Sequence, residues 1–204
     1  MKDNQDPILQ MVNEQSSIFY CQHILDGINN IADLMTFKVD HQEGSGLVEY
    51  LQRASIYEED ANLNRTYIVR DKKDNDIVGF FSLKCGLAST NEHKNSENSQ
   101  NIFDTVPAIE LANFAVNNSY KEKYPDNKGI GATIFMNFIL PIVEYVAKYV
   151  GISILILYAL PYDNLINYYQ KLGFSRLNPE AEQLLHSRIK PVYDGSCIFM
   201  FQKI

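Results

Sequence analysis

The sequence predicts an α/β (α+β) domain, and three features carry that prediction. "ISILILYAL", Ile152 to Leu160, is rich in β-branched residues and reads as a strand buried on both faces. The stretch before it holds Ile134, Phe138, Ile139, Ile142, Val143, Val146 and Val150 at helical spacing. Ahead of that helix the strand-like "PAIELANFAV", Pro107 to Val116, is followed by the glycine turn "DNKGIGA". The chain order is therefore strand, glycine turn, helix, strand.

From the N-terminus, "MKDNQDPILQMVNEQ" lacks the apolar run of a secretory signal, and residues 1–40 read as an N-terminal helical extension. "SGLVEYLQRASIYEE" sets Leu47, Tyr50, Leu51, Ala54 and Tyr57 at helical spacing. "TYIVRD" and "IVGFFSLKC" then pair as strands across the turn-rich "KKDND". "STNEHKNSENSQN", residues 89–101, has almost no large apolar side chain, so 89–106 is expected to be a mobile polar loop. In the long helix Pro141 removes a backbone donor and predicts a kink or local break, and Gly151 ends the helix. "DNLINYYQKLGF" reads as a second helix with Asp163 as N-cap and Gly173 as stop, and "CIFMFQK" as a last strand. With no internal repeat and no linker, residues 1–204 read as one domain.

Composition narrows the function. Net charge is −7 and the sequence pI about 5.1, so a broad basic face is not expected, and neither is nucleic acid as a partner. Arg53, Arg65, Arg70, Lys72 and Lys73 are the one cluster that could supply a local one. Asn137, Pro141, Glu144, Lys148 and Gly151 interrupt the most apolar region, so no bilayer-spanning segment and no membrane partner are expected. The cysteines Cys21, Cys85 and Cys197 are few, odd in number and far apart, which suits reduced thiols in a cytoplasm. Cys197, at the start of a strand, is expected to be a buried thiol. His23, His41, His93 and His186 show no metal-ligand spacing, so no metal is expected.

A glycine turn between strand and helix aims free backbone N–H groups and the positive end of the helix dipole at one place, which suits phosphate. Two nucleotide signatures fail here: GxxxxGK[ST] is absent, and Gly129 and Gly131 lack the third glycine of GxGxxG. "DNKGIGA", opening a helix after a strand, together with "YYQKLGF" about forty residues later, resembles the GNAT superfamily of acyl-CoA N-acyltransferases over roughly residues 45–204. The resemblance implies a GNAT fold: a central mixed, largely antiparallel twisted sheet, helices on both faces and a splayed CoA-binding cleft. It also implies acetyl-CoA as co-substrate and direct transfer to an amine. Asp126 departs from the family pattern by standing where Arg or Gln is usual, and Lys121, Lys123 and Lys128 are the residues that could restore positive charge.

By the same resemblance, the backbone of Phe114, Ala115 and Val116 pairs with the pantetheine arm, and Lys128, Gly129, Ile130, Gly131, Ala132 and Thr133 hold the pyrophosphate. Tyr169 matches the tyrosine that protonates the departing thiolate, with Tyr168 the neighbour that packs inward. Glu110 matches a glutamate base. Against these stand the plainer readings of two core tyrosines and a surface carboxylate. The expected acceptor is a primary amine of a small molecule or peptide, since −7 opposes tRNA and attracts cations. Two alternatives stay open: a toxin-type GNAT acetylating aminoacyl-tRNA, which "RTYIVRDKKDNDIVGFFSLKCG" also resembles, and a non-catalytic CoA-binding module. A homodimer is left open as well.

Overall fold

The computed structural model describes residues 6–27, 30–41, 44–94, 101–188 and 195–204. Among the described residues seven strands, β1 (Phe19–His23), β2 (Arg65–Asp71), β3 (Ile77–Lys94), β4 (Asn101–Val116), β5 (Ile154–Ala159), β6 (Ser175–Arg176) and β7 (Ile198–Lys203), hydrogen-bond in the order β1-β2-β3-β4-β5-β7-β6. Contacts group the chain, read from sequence as one domain, into two compact units: Met1–Lys84 with Leu111–Val146, and Cys85–Glu110 with Ala147–Ile204.

The first unit begins with α1 (Pro7–Gln15), where the Asp6 carboxylate accepts from the Ile8 N–H at 3.0 Å and Pro7 occupies the first turn, which needs no donor there. β1 (Phe19–His23) follows and pairs antiparallel with β2 (Arg65–Asp71), from Phe19 opposite Asp71 to His23 opposite Tyr67. This strand corrects the helical reading of residues 1–40. Its five residues bury Phe19 and Cys21 alternately, and only the distant β2 gives them a ladder. β2 pairs antiparallel with β3 (Ile77–Lys94), as the sequence predicts.

α2 (Asn30–Leu34) and α3 (residues 45–60) contribute Leu34 and Leu51 to a core with Ile24, Phe37, Ile68, Ile77, Phe80 and Ala115. α3 is α-helical over Ser45–Glu49 and Ser55–Asp60 and passes through a π turn at Tyr50–Ala54. Its inward face carries Leu51, Ser55 and Glu59, whereas Tyr57 is exposed. The buried Glu59 carboxylate is met by Arg65 at 2.7 Å, His23 at 2.9 Å and the Thr66 N–H at 2.7 Å, partners that a buried charge requires.

After β4 (Asn101–Val116) come α4 (Asn118–Lys123) and α5 (Ile130–Ala147). α5 is interrupted by a π turn at Phe135–Ile139, where the Leu140 N–H reaches back to the Phe135 carbonyl. Pro141 follows at once and has no N–H to give the Asn137 carbonyl, so the irregularity predicted at the proline takes the form of a π turn just before it. Despite its polar interruptions, Ile130–Ala147 has a mean hydropathy of 1.7 over 18 residues and could cross a bilayer by length and composition alone. Its residues Ile134, Phe135, Phe138, Ile139, Ile142 and Val143 are all buried, as a core helix requires; each is worth about 1.5–3 kcal/mol on burial.

The second unit is built on β5 (Ile154–Ala159), parallel to β4 from Ala108 opposite Ile154 to Glu110 opposite Ile156. β5 is also antiparallel to β7 (Ile198–Lys203), which pairs on its other side with β6 (Ser175–Arg176). α6 (Asp163–Lys171) and α7 (Pro179–Arg188) complete it. Asp163 is the first helical residue rather than the cap, which falls on Tyr162 without a side-chain bond. Gly173 ends the helix at φ +98°, as predicted, in the left-handed region that favours glycine. The expected loop 89–106 is largely strand: β3 runs to Lys94 and β4 starts at Asn101, while 95–100 and the His93 side chain lie outside the described residues. A ladder is held by backbone bonds, so polar side chains do not prevent it.

Candidate active site

In the first unit two segments carry the residues expected to bind a CoA ester. The first is the end of β4. Ala115 is buried in the core, with Phe114 and Val116 half-buried on either side. A Cβ at Gly79 on β3 would lie 2.7 Å from the Ala115 carbonyl oxygen and 3.5 Å from the Val116 Cα, so glycine is what lets the two backbones come this close. Asn113 donates to the Ser82 hydroxyl at 2.8 Å. Asn117, buried at the strand end, donates to the Ile77 carbonyl and accepts from the Lys38 and Ser119 N–H groups. The strand is braced where the chain turns away.

The second segment is the glycine turn. Gly129 caps α5 at φ +71°, ψ 18°, and a Cβ there would meet nothing within 4 Å. Glycine is needed at 129 for conformation, not for room. The Thr133 N–H bonds the Gly129 carbonyl at 3.0 Å, so the N–H groups of Ile130, Gly131 and Ala132 precede the first intrahelical acceptor. This is the donor set an anion needs at a helix start, and it fits a pyrophosphate. Lys128 and Asp126 are both exposed beside it. Of the lysines expected to restore charge, Lys123 is committed to Asp76 at 2.6 Å and Lys121 bonds Asn118 at 3.2 Å.

In the second unit Glu110 is 8% exposed and sits at the last β4–β5 pair, opposite Ile156. It is therefore not a surface carboxylate. Gly86 stands beside it: a Cβ there would be 3.5 Å from the Glu110 Cβ and 3.1 Å from the Ile156 Cδ1. Burial, and then the Glu110 charge, push the Tyr158 phenol up to about 12.

Tyr169 is 8% exposed and packs edge-on against Tyr168 and Phe174, with ring centroids 5.4 and 5.7 Å away. Burial raises its phenol well above the ordinary value near 10. Tyr168, expected to pack inward, is the more exposed of the two. Its hydroxyl is nevertheless enclosed without a hydrogen-bond partner among the described residues, and burial pushes it up to about 12. The reason is helical phase: Ile166 and Tyr169, three apart, share the buried face, and Tyr168 is turned about 100° from it. Both phenols stay protonated at neutral pH, the state a proton donor requires.

Four of the five residues of the candidate basic cluster have partners within the chain, although Arg53 and Arg65 keep much of their side chains exposed. Arg70 is 3% exposed and bonds Asp33 at 2.8 Å, Arg65 bonds Glu59, Arg53 pairs with Glu49 one turn away, and Lys72 donates to the Asn13 and Ser16 carbonyls. Cys197 is buried, as expected.

No family model matches the chain. Its fold is that of the GNAT-type toxin acetyltransferases, with acetyl-CoA-bound structures among the neighbours. A mutant of the AtaT toxin, bound to the C-terminus of the antitoxin AtaR and acetyl-CoA, matches with a TM-score of 0.61 at 18% identity, over 91% of this chain and 92% of that one. A mutant of KacT matches with a TM-score of 0.63 at 16% identity, over 91% and 95%. AtaT complexed with acetyl-methionyl-tRNAfMet matches with a TM-score of 0.61 at 17% identity, over 89% and 93%. The expectation that nucleic acid is an unlikely partner is not borne out, because a protein of this fold is solved on a tRNA. Net charge sums the whole surface, whereas phosphate contacts depend on the local field.

Proposed function

We propose that this chain is an acetyl-CoA-dependent N-acetyltransferase of the toxin type, whose acceptor is the α-amine of an aminoacyl-tRNA. The observation that carries acetyl-CoA binding is the left-handed Gly129 turn with its three N–H groups ahead of the first helical bond. The acceptor rests on the fold shared with AtaT over about nine tenths of both chains.

In this reading the backbone N–H groups at Ile130, Gly131 and Ala132, with Lys128 and Thr133, hold the pyrophosphate. The strand end Phe114–Val116 pairs with the pantetheine arm and donates to the thioester oxygen as it becomes anionic. Glu110 takes a proton from the ammonium, directly or through water. The free amine forms the C–N bond and the C–S bond breaks; the thiolate takes its proton from the Tyr169 hydroxyl, and the proton shed by the new amide nitrogen returns through water to the Tyr169 phenolate, so the one net proton released is the one Glu110 passes to solvent. The Tyr169 phenol is a far weaker acid than a thiol in water, so the transfer is favourable only where the same dry surroundings also raise the thiolate. Charged tRNA as substrate places the reaction in the cytoplasm.

A small-molecule or peptide amine is the second reading, favoured by the internal pairing of Arg53, Arg65 and Arg70. One experiment separates the two. The protein is incubated with radiolabelled acetyl-CoA and, in turn, aminoacylated bulk tRNA, the same tRNA deacylated, spermidine and a lysine-rich peptide. Label is expected on charged tRNA alone. Label on spermidine or peptide with none on charged tRNA overturns the acceptor assignment, and no thiol release with any acceptor overturns the enzyme.

A further inference from the structure

A cavity of about 420 Å³ lies within the second unit, between the sheet and α7. Ala88 on β3, Val106 on β4, Ile154 on β5 and Phe199 and Phe201 on β7 line it from the sheet, and Leu185 lines it from the helix. Native interiors leave few voids larger than a water molecule, and an apolar cavity of about 150 Å³ already holds benzene. The space persists because α7, ten residues long, buries Leu185 alone. Polar bonds also hold the helix in place: Glu182 accepts from the Phe199 N–H at 2.8 Å and meets Arg176 at 3.5 Å.

The cavity is graded along β7. Lys203, Phe201 and Phe199 share one face of that strand and all line it, over four residues or about 13 Å. At the far end Phe199 stacks on Phe201, ring centroids 6.4 Å apart, and meets Tyr158 edge-on at 5.5 Å. At the near end Lys203 is exposed, and its ammonium has no partner among the described residues. Ser89 also lines the cavity; it is 4% exposed and its hydroxyl has no hydrogen-bond partner among the described residues. β3 runs antiparallel to β4, with Ser82 at Asn113 and Gly86 at Glu110, so Ser89 falls level with Pro107. The Pro107 carbonyl accepts from the Ser153 N–H, one residue before Ile154, which stands opposite Lys203. The two unpartnered groups therefore belong to the same end. At the level of Glu110 the buried Ile156 crosses to Gly86, its Cδ1 3.1 Å from where a Cβ would stand, and shuts the cavity off from that carboxylate.

We propose that this cavity binds an unbranched monocarboxylate of medium chain length. The tail lies along Phe201 and Phe199 beneath Leu185, a span that an octyl to decyl chain covers, and the carboxylate meets Lys203 and the Ser89 hydroxyl. No acidic side chain lines the cavity among the described residues, so an ammonium head finds no partner where a carboxylate finds a cation. The site is separate from acetyl transfer, because Ile156 stands between them, and the proposal does not depend on that reading.

Butanoate, hexanoate, octanoate and octylamine are titrated calorimetrically against the full chain, as wild type, Lys203→Glu and Ala88→Leu. Affinity for the carboxylates is expected to rise about fourfold with each methylene, the gain from taking that group out of water. Octylamine is expected to bind wild type several-fold more weakly than octanoate, and Lys203→Glu, an exchange at an exposed position, to reverse that preference. Ala88→Leu fills part of the cavity and is expected to blunt the rise with chain length; circular dichroism checks that it folds. No binding of octanoate to wild type, or an affinity that does not grow with chain length, overturns the proposal without need of a variant. So does a rise that is undiminished in a folded Ala88→Leu. Octylamine binding wild type as tightly as octanoate, or a head-group preference unmoved by Lys203→Glu, overturns the carboxylate assignment.

Discussion

Replacing Gly129 by Asn and, separately, by Asp tests the turn with one variable, a unit of charge. Gly129 sits at φ +71° in open space, so either side chain is admitted sterically and the cost lies in the backbone. Left-handed conformation costs an ordinary residue about 1–2 kcal/mol, and Asn and Asp are among those that bear it best. Both variants should therefore lose similar stability, about 1 kcal/mol, or about 2–4 °C in Tm for a chain of this size. Their acetyl-CoA affinities should differ. At about 5 Å from a phosphate, a carboxylate costs about 0.8 kcal/mol at the dielectric of water and about 3 kcal/mol at an effective value of 20. Gly129→Asp should thus bind at least several-fold, and up to about a hundredfold, more weakly than Gly129→Asn by calorimetric titration, with the gap narrowing as salt rises. Equal affinities at low salt, with matched melting curves, refute the placement of the pyrophosphate at this turn.

Tyr169→Phe removes the proposed acid and keeps the ring; kcat should fall by about 10²–10⁴ with acetyl-CoA affinity little changed, and single-turnover kinetics that match wild type would return Tyr169 to the core. Gly79→Ala places a Cβ 2.7 Å from the Ala115 carbonyl and 2.8 Å from the Ile134 Cδ1, so urea unfolding should show a loss of about 1–3 kcal/mol. Burial opposes ionisation of Asp71, but hydrogen bonds from Tyr120 and the Lys73 and Asp74 backbone hold its carboxyl below the ordinary 3.8. Its stabilisation is therefore complete above about pH 4 and is lost as pH falls through the lowered value; Asp71→Asn should flatten that part of the stability profile, and an unchanged acid limb would rule it out.

The order of elements around the site was legible because each signal is local. Helical spacing marked α5, β-branched residues marked β5, and Gly173 marked the end of α6. Gly129 was legible as a turn because few other residues adopt its φ. What escaped depends on distant partners. β1 is a strand only because β2 lies beside it, and the polar ends of β3 and β4 carry no apolar alternation to announce a ladder. Which tyrosine faces inward was open to closer reading, since Ile166 and Tyr169 already stand three apart. The fate of Arg53, Arg65 and Arg70 was not: adding charges along a chain cannot reveal that Glu49, Glu59 and Asp33 neutralise them in pairs.

The π turn in α5 sets a rule for insertions and deletions. Its buried residues fall into two series, Ile134, Phe138 and Ile142, and Phe135, Ile139 and Val143, each advancing by four. At about 100° per residue an unbroken α-helix drifts about 40° with every such step, so the last members would swing away from the face that the first ones occupy. The wide turn between Phe135 and Ile139 absorbs the surplus residue and brings the series back into line. Removing one residue from that turn would leave a regular helix in which Ile134 and Ile142 stand seven residues apart, about 700° or within about 20° of two full turns, so the glycine turn would keep its phase against Ile142 and Val143. A single-codon deletion inside the wide turn therefore preserves the phase, whereas one before or after it, with the wide turn kept, swings the upstream residues about 100° off the buried face.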